Sequence, residues 1–245
     1  MNTLLASEVL KLRTLVLPRA MIVTGAALSG VIGYAVVRIA ADTDESVTLA
    51  DMATVSAQPM WFLAVVVAVL ATAGEFQHRT IRTTLLHAPR RGPVLAAKAA
   101  VTAAYGALLA VIGSASALGV GAVAMRDHGM PVAVTWELVP AVAAGALIGA
   151  VWSVLAAGLG VLVRSSTVAL VAVLVWKFVI ENVIPLATNT PQAQRWMPSS
   201  AADAVLYDEA GTALLSPLAG GLLFVGYAAV VVMAGSLLFL RRDPA

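Results

Sequence analysis

Residues 74–98 read GEFQHRTIRTTLLHAPRRGPVLAAK. This polar segment lies between two apolar runs and carries five basic residues against the single acidic residue Glu75. Apolar residues recur along it at Phe76, Ile81 and Leu85, a pattern that indicates a helix rather than a simple connection. Pro89 ends the pattern, because proline lacks the backbone N–H and its ring clashes with the preceding turn. We therefore expect the apolar run before the segment to continue into a short helix that bends back through residues 88–93.

The composition around this segment is that of a membrane protein. The chain has 245 residues, of which 60% are hydrophobic and 11% charged, and its mean hydropathy is +0.93. Soluble domains have about 25% charged residues. The apolar residues also form runs long enough to cross the hydrocarbon core, which takes about 20 helical residues. The sequence has no cysteine, which excludes a disulfide framework and thiolate metal sites.

The predicted fold is all-α, with six transmembrane helices. The spans are expected at about residues 20–37, 59–74, 95–124, 138–163, 167–186 and 213–240. The second is short for a bilayer, so its helix should extend beyond the apolar stretch at both ends. Residues 2–17 precede the first span, with Leu5, Val9 and Leu12 on one side and Glu8 and Lys11 on the other. This pattern predicts an amphipathic helix lying in the membrane interface, and a short solvated tail is the alternative.

The distribution of charge predicts the orientation. With both termini inside, 11 of the 15 basic residues fall in inner segments, and 10 of the 13 acidic residues lie outside or near the outer side. Lysine and arginine concentrate in cytoplasmic loops. We therefore expect both termini and the polar segment to be cytoplasmic. The basic pI of about 9.2 is explained by this topology, so nucleic acid is not an expected partner.

Several residues on the predicted outer side have expected structural roles. Trp61, Trp136 and Trp196 lie near the outer boundary, where aromatic belts form. Lys177 lies within the fifth span, and Glu181 follows four residues later. The two form either a structural ion pair or part of a substrate pathway, since charges in spans are costly and often functional.

Rows of small residues occur within the spans. Gly106, Ala110 and Ser114 recur at spacing four in the third span, and Gly149 and Ser153 do so in the fourth. Such rows allow helices to approach closely. We expect them to mark packing within the chain rather than between two copies.

Motifs for an enzyme are missing from the sequence. It contains neither the glycine-rich loop that binds ATP phosphates nor the H-E-x-x-H zinc motif. No pair of aspartates on one predicted helix is placed to hold magnesium, and His78, His87 and His128 have no partner at metal-ligand spacing. We therefore expect a protein that is not an enzyme and binds no cofactor itself.

The arrangement of spans and loops resembles the permease subunits of ABC-2 type transporters. In that family the region after the second span typically shows an acidic residue, a threonine, a Leu-Leu pair, a proline and a basic residue, then a lysine opening the third span. The matching residues here are Glu75, Thr80, Leu85, Leu86, Pro89, Arg90 or Arg91, and Lys98. The family often has glycine where this chain has Arg79. Residues 195–207 resemble the family's short outer helices between the fifth and sixth spans.

The resemblance implies an ATP-driven exporter. Two separate ATPase subunits would bind ATP and Mg²⁺ and act on residues 75–98 as a coupling helix, and a second copy or a related permease would complete the pathway in a bacterial plasma membrane. The expected coupling residues are Glu75, Phe76, Arg79, Thr80, Arg82, Leu85, Leu86, Arg90 and Arg91. The alternatives are an ATP-independent secondary transporter or channel, and a membrane anchor or assembly subunit. The sequence does not indicate the substrate.

Overall fold

A computed structural model describes residues 2–43, 46–78, 80–87, 91–188, 191–207 and 215–241. Nearly all of these residues are helical, and no strand occurs among them. The α-helices are α1 Asn2–Thr14, α2 Val16–Thr43, α3 Leu49–Gln77, α4 Ile81–His87, α5 Arg91–Asp127, α6 Leu138–Val163, α7 Ser166–Val175, α8 Glu181–Thr188, α9 Pro198–Leu206 and α10 Pro217–Arg241. A π-helical turn, Trp176–Ile180, joins α7 to α8, and a 3₁₀ helix, Pro191–Trp196, precedes α9.

Six helical stretches in the described part of the chain are long and apolar enough to cross a membrane. They are α2, α3, α5, α6, the continuous stretch Ser166–Ala187, and α10. The predicted all-α class and number of spans are therefore confirmed, and the chain has the features of a multi-pass membrane protein. The predicted bounds of the fourth span agree with those of α6 at both ends. The sixth span is predicted to start at residue 213. Residues 213 and 214 lie outside the described residues, and α10 begins at Pro217.

The second span is much longer than its apolar stretch, as its short hydropathy run suggested. Helix α3 begins at Leu49, ten residues before the predicted start, and continues through Pro59. Its beginning is defined by a capping box: the Thr48 hydroxyl accepts a hydrogen bond from the Asp51 N–H, and the Asp51 carboxylate accepts one from the Thr48 N–H. This reciprocal pairing satisfies two backbone donors that a helix start otherwise leaves open.

The core of the bundle is formed by α3, α5 and α6, with α2 and α10 packed at its sides. Trp61 of α3 stacks on Trp152 of α6 with ring centroids 4.8 Å apart, and Phe224 of α10 contacts Trp152 edge-on. Trp61 is only 8% exposed. The prediction that Trp61 belongs to an interfacial belt is therefore wrong, because its ring is part of the core, whereas Trp136 and Trp196 are exposed.

Small residues bring α5 and α6 into backbone contact. A Cβ atom built on Gly149 would lie 2.5 Å from the Gly106 carbonyl oxygen, and one on Gly106 would collide with the Gly149 carbonyl. The rows of small residues thus pack helices of this chain against each other, as predicted. Two ends of the bundle are distinguished below: the α1 end, which also carries α4 and the α6–α7 turn, and the α9 end opposite.

Candidate functional site

Four charged side chains form a closed ring at the α1 end. Lys98 Nζ donates hydrogen bonds to Glu8 Oε2 at 2.9 Å and to Glu75 Oε1 at 2.6 Å. Lys11 Nζ donates to Glu8 Oε1 at 2.6 Å and to Glu75 Oε1 at 2.8 Å. Positive and negative groups therefore alternate around the ring. We call these four residues the ion ring.

Three helices contribute to the ion ring. Glu8 and Lys11 lie one turn apart on α1, Glu75 lies in the last turn of α3, and Lys98 lies two turns into α5. Lys98 is only 2% exposed, so its ammonium depends on the two carboxylates for the interactions that water would otherwise provide. Because these carboxylates come from different helices, Lys98 links α1 to the end of α3.

The charges of α1 are stabilised by this arrangement. Burial opposes the charge on Glu8, but Lys98 and Lys11 outweigh it, so the pKa of Glu8 is below its ordinary value of 4.5. Burial likewise opposes the charge on Lys11, but its hydrogen bonds to Glu75 and Glu8 raise the pKa of Lys11 above 10.5. Both groups are therefore ionised at neutral pH.

The ion ring determines which side of α1 faces the bundle. Glu8 is buried there, and Val9 and Leu10 point outward and are exposed. An interfacial helix would normally place its polar side toward water. Here the charged side turns inward because its counter-ions, Glu75 and Lys98, belong to the bundle.

Aromatic and basic side chains hold the base of the polar segment. Phe76 packs edge-on against Phe239 near the end of α10, with ring centroids 5.6 Å apart, and the Arg164 guanidinium lies 5.3 Å from the Phe76 ring. Arg91 donates hydrogen bonds to the carbonyls of Phe239 at 2.9 Å and Leu240 at 3.3 Å. Arginine can satisfy carbonyls that a helix end leaves open. Glu75, Phe76 and Arg91, all expected coupling residues, thus contact other helices of the chain.

Two of the other expected residues, one in α4 and one just before it, point outward. Ile81 is buried beside Val161 and Phe239, which seats α4 on the bundle. Leu86 is 81% exposed, and Thr80 is exposed as well. The remaining expected residues are not fully described: Arg79 and Arg90 lie outside the described residues, and Arg82 and Leu85 belong to α4 but their side chains are not among those described.

A cavity of about 800 Å³ lies between α1, the end of α3, α4 and the beginning of α7. Glu8, Lys11 and Glu75 of the ion ring form part of its wall, and threonines of α1, α4, α7 and the position just before α4 contribute to the rest. The threonines are Thr14, Thr80, Thr83, Thr84 and Thr167. The cavity separates α1 from α4, so these two helices are connected mainly through α3 and α5.

A second polar cluster lies at the α9 end and contains the predicted pair. Lys177 Nζ lies 3.6 Å from Glu181 Oε2 and 5.7 Å from the centroid of the Trp61 ring. Glu181 Oε1 also accepts hydrogen bonds from the Ser199 backbone N–H at 3.0 Å and from the Trp176 indole at 3.1 Å. Glu181 therefore holds the first turn of α9 against the fifth span. These contacts favour a structural role for the pair.

Two further hydrogen bonds attach the α9 end to the bundle. Gln58 of α3 donates to the Asp203 carboxylate of α9 at 2.8 Å. The Tyr227 hydroxyl of α10 donates to the carbonyl of Trp196 at 2.6 Å. Together with Glu181, they connect the 3₁₀ helix and α9 to three spans.

The ion ring is not predicted by the sequence patterns. They assign Glu75 to a partner, and they place Glu8 and Lys11 on the polar side of an interfacial helix whose basic residues lie near lipid headgroups. One signal was present: Lys98 lies at the start of a long apolar run, where a lysine needs an acidic partner. The sequence did not specify which of the 13 acidic residues would be that partner.

Within the described residues, no group of three or more histidine and acidic side chains is arranged to hold a metal ion. No known protein family matches the chain, and no curated protein sequence matches it either.

Proposed function

We propose that this chain is the transmembrane subunit of an ATP-driven exporter of the ABC-2 type. In this proposal, two separately encoded ATPase subunits bind ATP and Mg²⁺ and press on the polar segment. The chain pairs with a second copy or a related permease to enclose the pathway. Both termini face the cytoplasm of a bacterial plasma membrane.

The observation that carries the proposal is the form of the polar segment. It contains a short helix, α4, which exposes the apolar side chain of Leu86 and is seated on the bundle through Ile81. The Leu86 side chain is therefore accessible for contact with a partner protein. At the base of the segment, Glu75 and Arg91 bond to other helices. A helix fixed at its base and exposed at its tip suits the transfer of force from a partner.

The transfer needs no chemistry in this chain. When ATP closes the two ATPase subunits, they displace α4, and the displacement passes to α3 and α5, which flank it. Helices move as rigid bodies because their packed side chains resist gradual deformation. Tilting α3 and α5 changes the packing of α6 and α2 and thus the shape of the pathway.

A single substitution on α4 tests the contact with the ATPase. In Leu86→Glu, a charge replaces an apolar side chain that contacts little of its own chain, so we expect loss of ATPase binding without loss of membrane insertion. Val134→Glu is the matched control, because Val134 is 78% exposed and lies in the loop at the opposite end. The measurement is co-purification of an ABC ATPase from the source cells with each variant, followed by the ATP hydrolysis rate of the complex in proteoliposomes.

The outcomes separate the two main functions. Equal ATPase binding by Leu86→Glu and Val134→Glu would contradict docking at α4.

A charge reversal of Arg79 and Arg82 together should weaken the same contact, since these residues supply two of the five positive charges of the polar segment. Transport by the purified chain without any ATPase would instead support a secondary transporter.

A further inference from the structure

The ion ring joins parts of the chain that are far apart in sequence. Lys98 Nζ contacts Glu8, 90 residues earlier, and Glu75, 23 residues earlier. Within the described residues, α1 packs mainly along α5 and has few or no close backbone contacts with α3 and α4. The connection of α1 to the end of α3 therefore depends on the ion ring, through Lys98 and through the contact of Lys11 with Glu75.

The ring resists relative movement of its three helices. Each of the four contacts is between 2.6 and 2.9 Å, and Lys98 has almost no access to water. A shift of α1 or of the α3 end away from α5 would leave a buried charge without its partner. That cost is high, because water cannot reach Lys98 to replace the lost interaction. Movement of all three helices together carries no such cost.

Helix α1 is also connected directly to the first span. Only Leu15 separates α1 from α2, and the Leu15 N–H still bonds to the Lys11 carbonyl at 3.2 Å. The Tyr105 hydroxyl of α5 donates to the Pro18 carbonyl in the first turn of α2 at 2.9 Å. A displacement of α1 with α5 is therefore passed on to the beginning of α2.

We infer that α1 moves together with α3 and α5 when the polar segment is displaced, and that α1 is not a fixed anchor in the membrane interface. The ion ring is the joint that makes α1 follow α3 and α5. The inference rests on the proposed function, because it assumes that a partner displaces the polar segment. Glu8, Lys11, Glu75 and Lys98 are then positioning residues for transport. A displacement of α4 reaches α3 and α5 directly. Through the ion ring it also reaches α1, and through α1 the third span, α2.

Distances between spin labels test this directly. The chain has no cysteine, so pairs of introduced cysteines can be labelled selectively. Ser7→Cys reports on α1, Thr83→Cys on α4 and Val134→Cys on the opposite end, and all three positions are exposed. Pulsed electron paramagnetic resonance is recorded on the full chain in complex with its ATPase, before and after addition of ATP.

We expect ATP to change two distances: from the label on α1 (Ser7→Cys) to the label at the opposite end (Val134→Cys), and from the label on α4 (Thr83→Cys) to that same label. The distance between the labels on α1 and α4 should stay constant. In Lys98→Met, we expect the label on α1 to lose its response to ATP and its distance to α4 to broaden. Lys98→Arg keeps the charge and should keep the response. Lys177→Met removes a paired lysine at the other end and should leave α1 unaffected.

The results distinguish failure of the inference from failure of the proposed function. If the label on α4 responds to ATP and the label on α1 does not, α1 is a static anchor and the inference is wrong. If Lys98→Met responds as the unsubstituted chain does, the ring is not the joint. If neither label responds to ATP, the proposed function fails and the inference fails with it.

Discussion

A buried lysine ammonium is stable only where opposite charge replaces its hydration. Lys98 has two such partners, Glu8 of α1 and Glu75 of α3, and Lys11 of α1 balances the second negative charge. The ion ring is therefore neutral overall although each member is charged. This balance explains how four ionised groups can lie together at the edge of an apolar bundle.

The titration of Glu8 and Lys11 predicts how α1 is released. The pKa of Glu8 is below 4.5, so its contribution is complete above pH 4.5 and is lost as the pH falls through the lower folded-state pKa. The pKa of Lys11 is above 10.5, so its contribution is complete below pH 10.5 and is lost as the pH rises through the higher value. We expect constant attachment of α1 between these limits and detachment in acid, measured by a fluorophore on Ser7→Cys.

Glu8→Gln is the control for this experiment. It removes the titrating group, so the acid transition caused by Glu8 should disappear and α1 should be more mobile at all pH values. A transition near neutral pH, or an unchanged acid transition in Glu8→Gln, would contradict the assignment of Glu8 to the ring.

At the scale of helices, the crossing of α5 and α6 governs the geometry of the bundle. The two backbones touch at Gly106 and Gly149, where no side chain fits between them. Close contact of this kind is the main attraction available to helices in lipid, because the lipid removes the hydrophobic driving force between them. The Lys98 end of α5 is positioned relative to α6 by this crossing.

A glycine pair on α5 provides a matched test. Gly106→Ala should separate α5 from α6 and lower stability by about 1–3 kcal/mol, the usual cost of overpacking. Gly119→Ala places the same methyl group on the same helix where nothing lies within 4 Å, and alanine favours helix formation. We expect a lower thermal unfolding midpoint in detergent for Gly106→Ala only. Equal midpoints for the two variants would mean that the crossing can relax.

At the scale of the whole molecule, the two ends of the bundle differ in character. The α1 end has the ion ring, the exposed helix α4 and the 800 Å³ cavity. At the α9 end, Glu181 and Gln58 hold α9, and Tyr227 holds the 3₁₀ helix before it. An open, charged end and a closed end suit a protein that is driven from one side of a membrane.

The orientation of these ends can be measured by thiol labelling in intact cells. The excess of lysine and arginine at the α1 end predicts that this end is cytoplasmic. A membrane-impermeant thiol reagent should therefore label Val134→Cys in intact cells and Leu86→Cys only after permeabilisation. The reverse pattern would place α4 outside the cell, where no ATPase could reach it.

Much of the fold could be predicted from particular stretches of sequence. The apolar run that forms α6 predicts both ends of that helix correctly. The short apolar run before Glu75 indicates that α3 extends beyond its apolar residues, as it does. Trp61 was misassigned because its place in the chain suggests an interface, whereas its stacking on Trp152 depends on how α3 and α6 pack. Of the candidate site, the sequence singles out Glu75 as a coupling residue and Lys98 as a matching family residue, but it does not show that they contact each other and Glu8.

The sequence by itself determined the number of spans, the polar segment between the second and third, and the excess of positive charge at one end. These follow from hydropathy and charge within windows of about 20 residues, which decide whether a helix enters lipid. Only the tertiary structure decided that Glu8, Lys11, Glu75 and Lys98 meet. Their contacts depend on the rotation and crossing of three helices, which the packing of side chains far from the ring determines. For that reason the residues at the base of the polar segment bond to the chain itself, whereas Leu86 of α4 is left exposed.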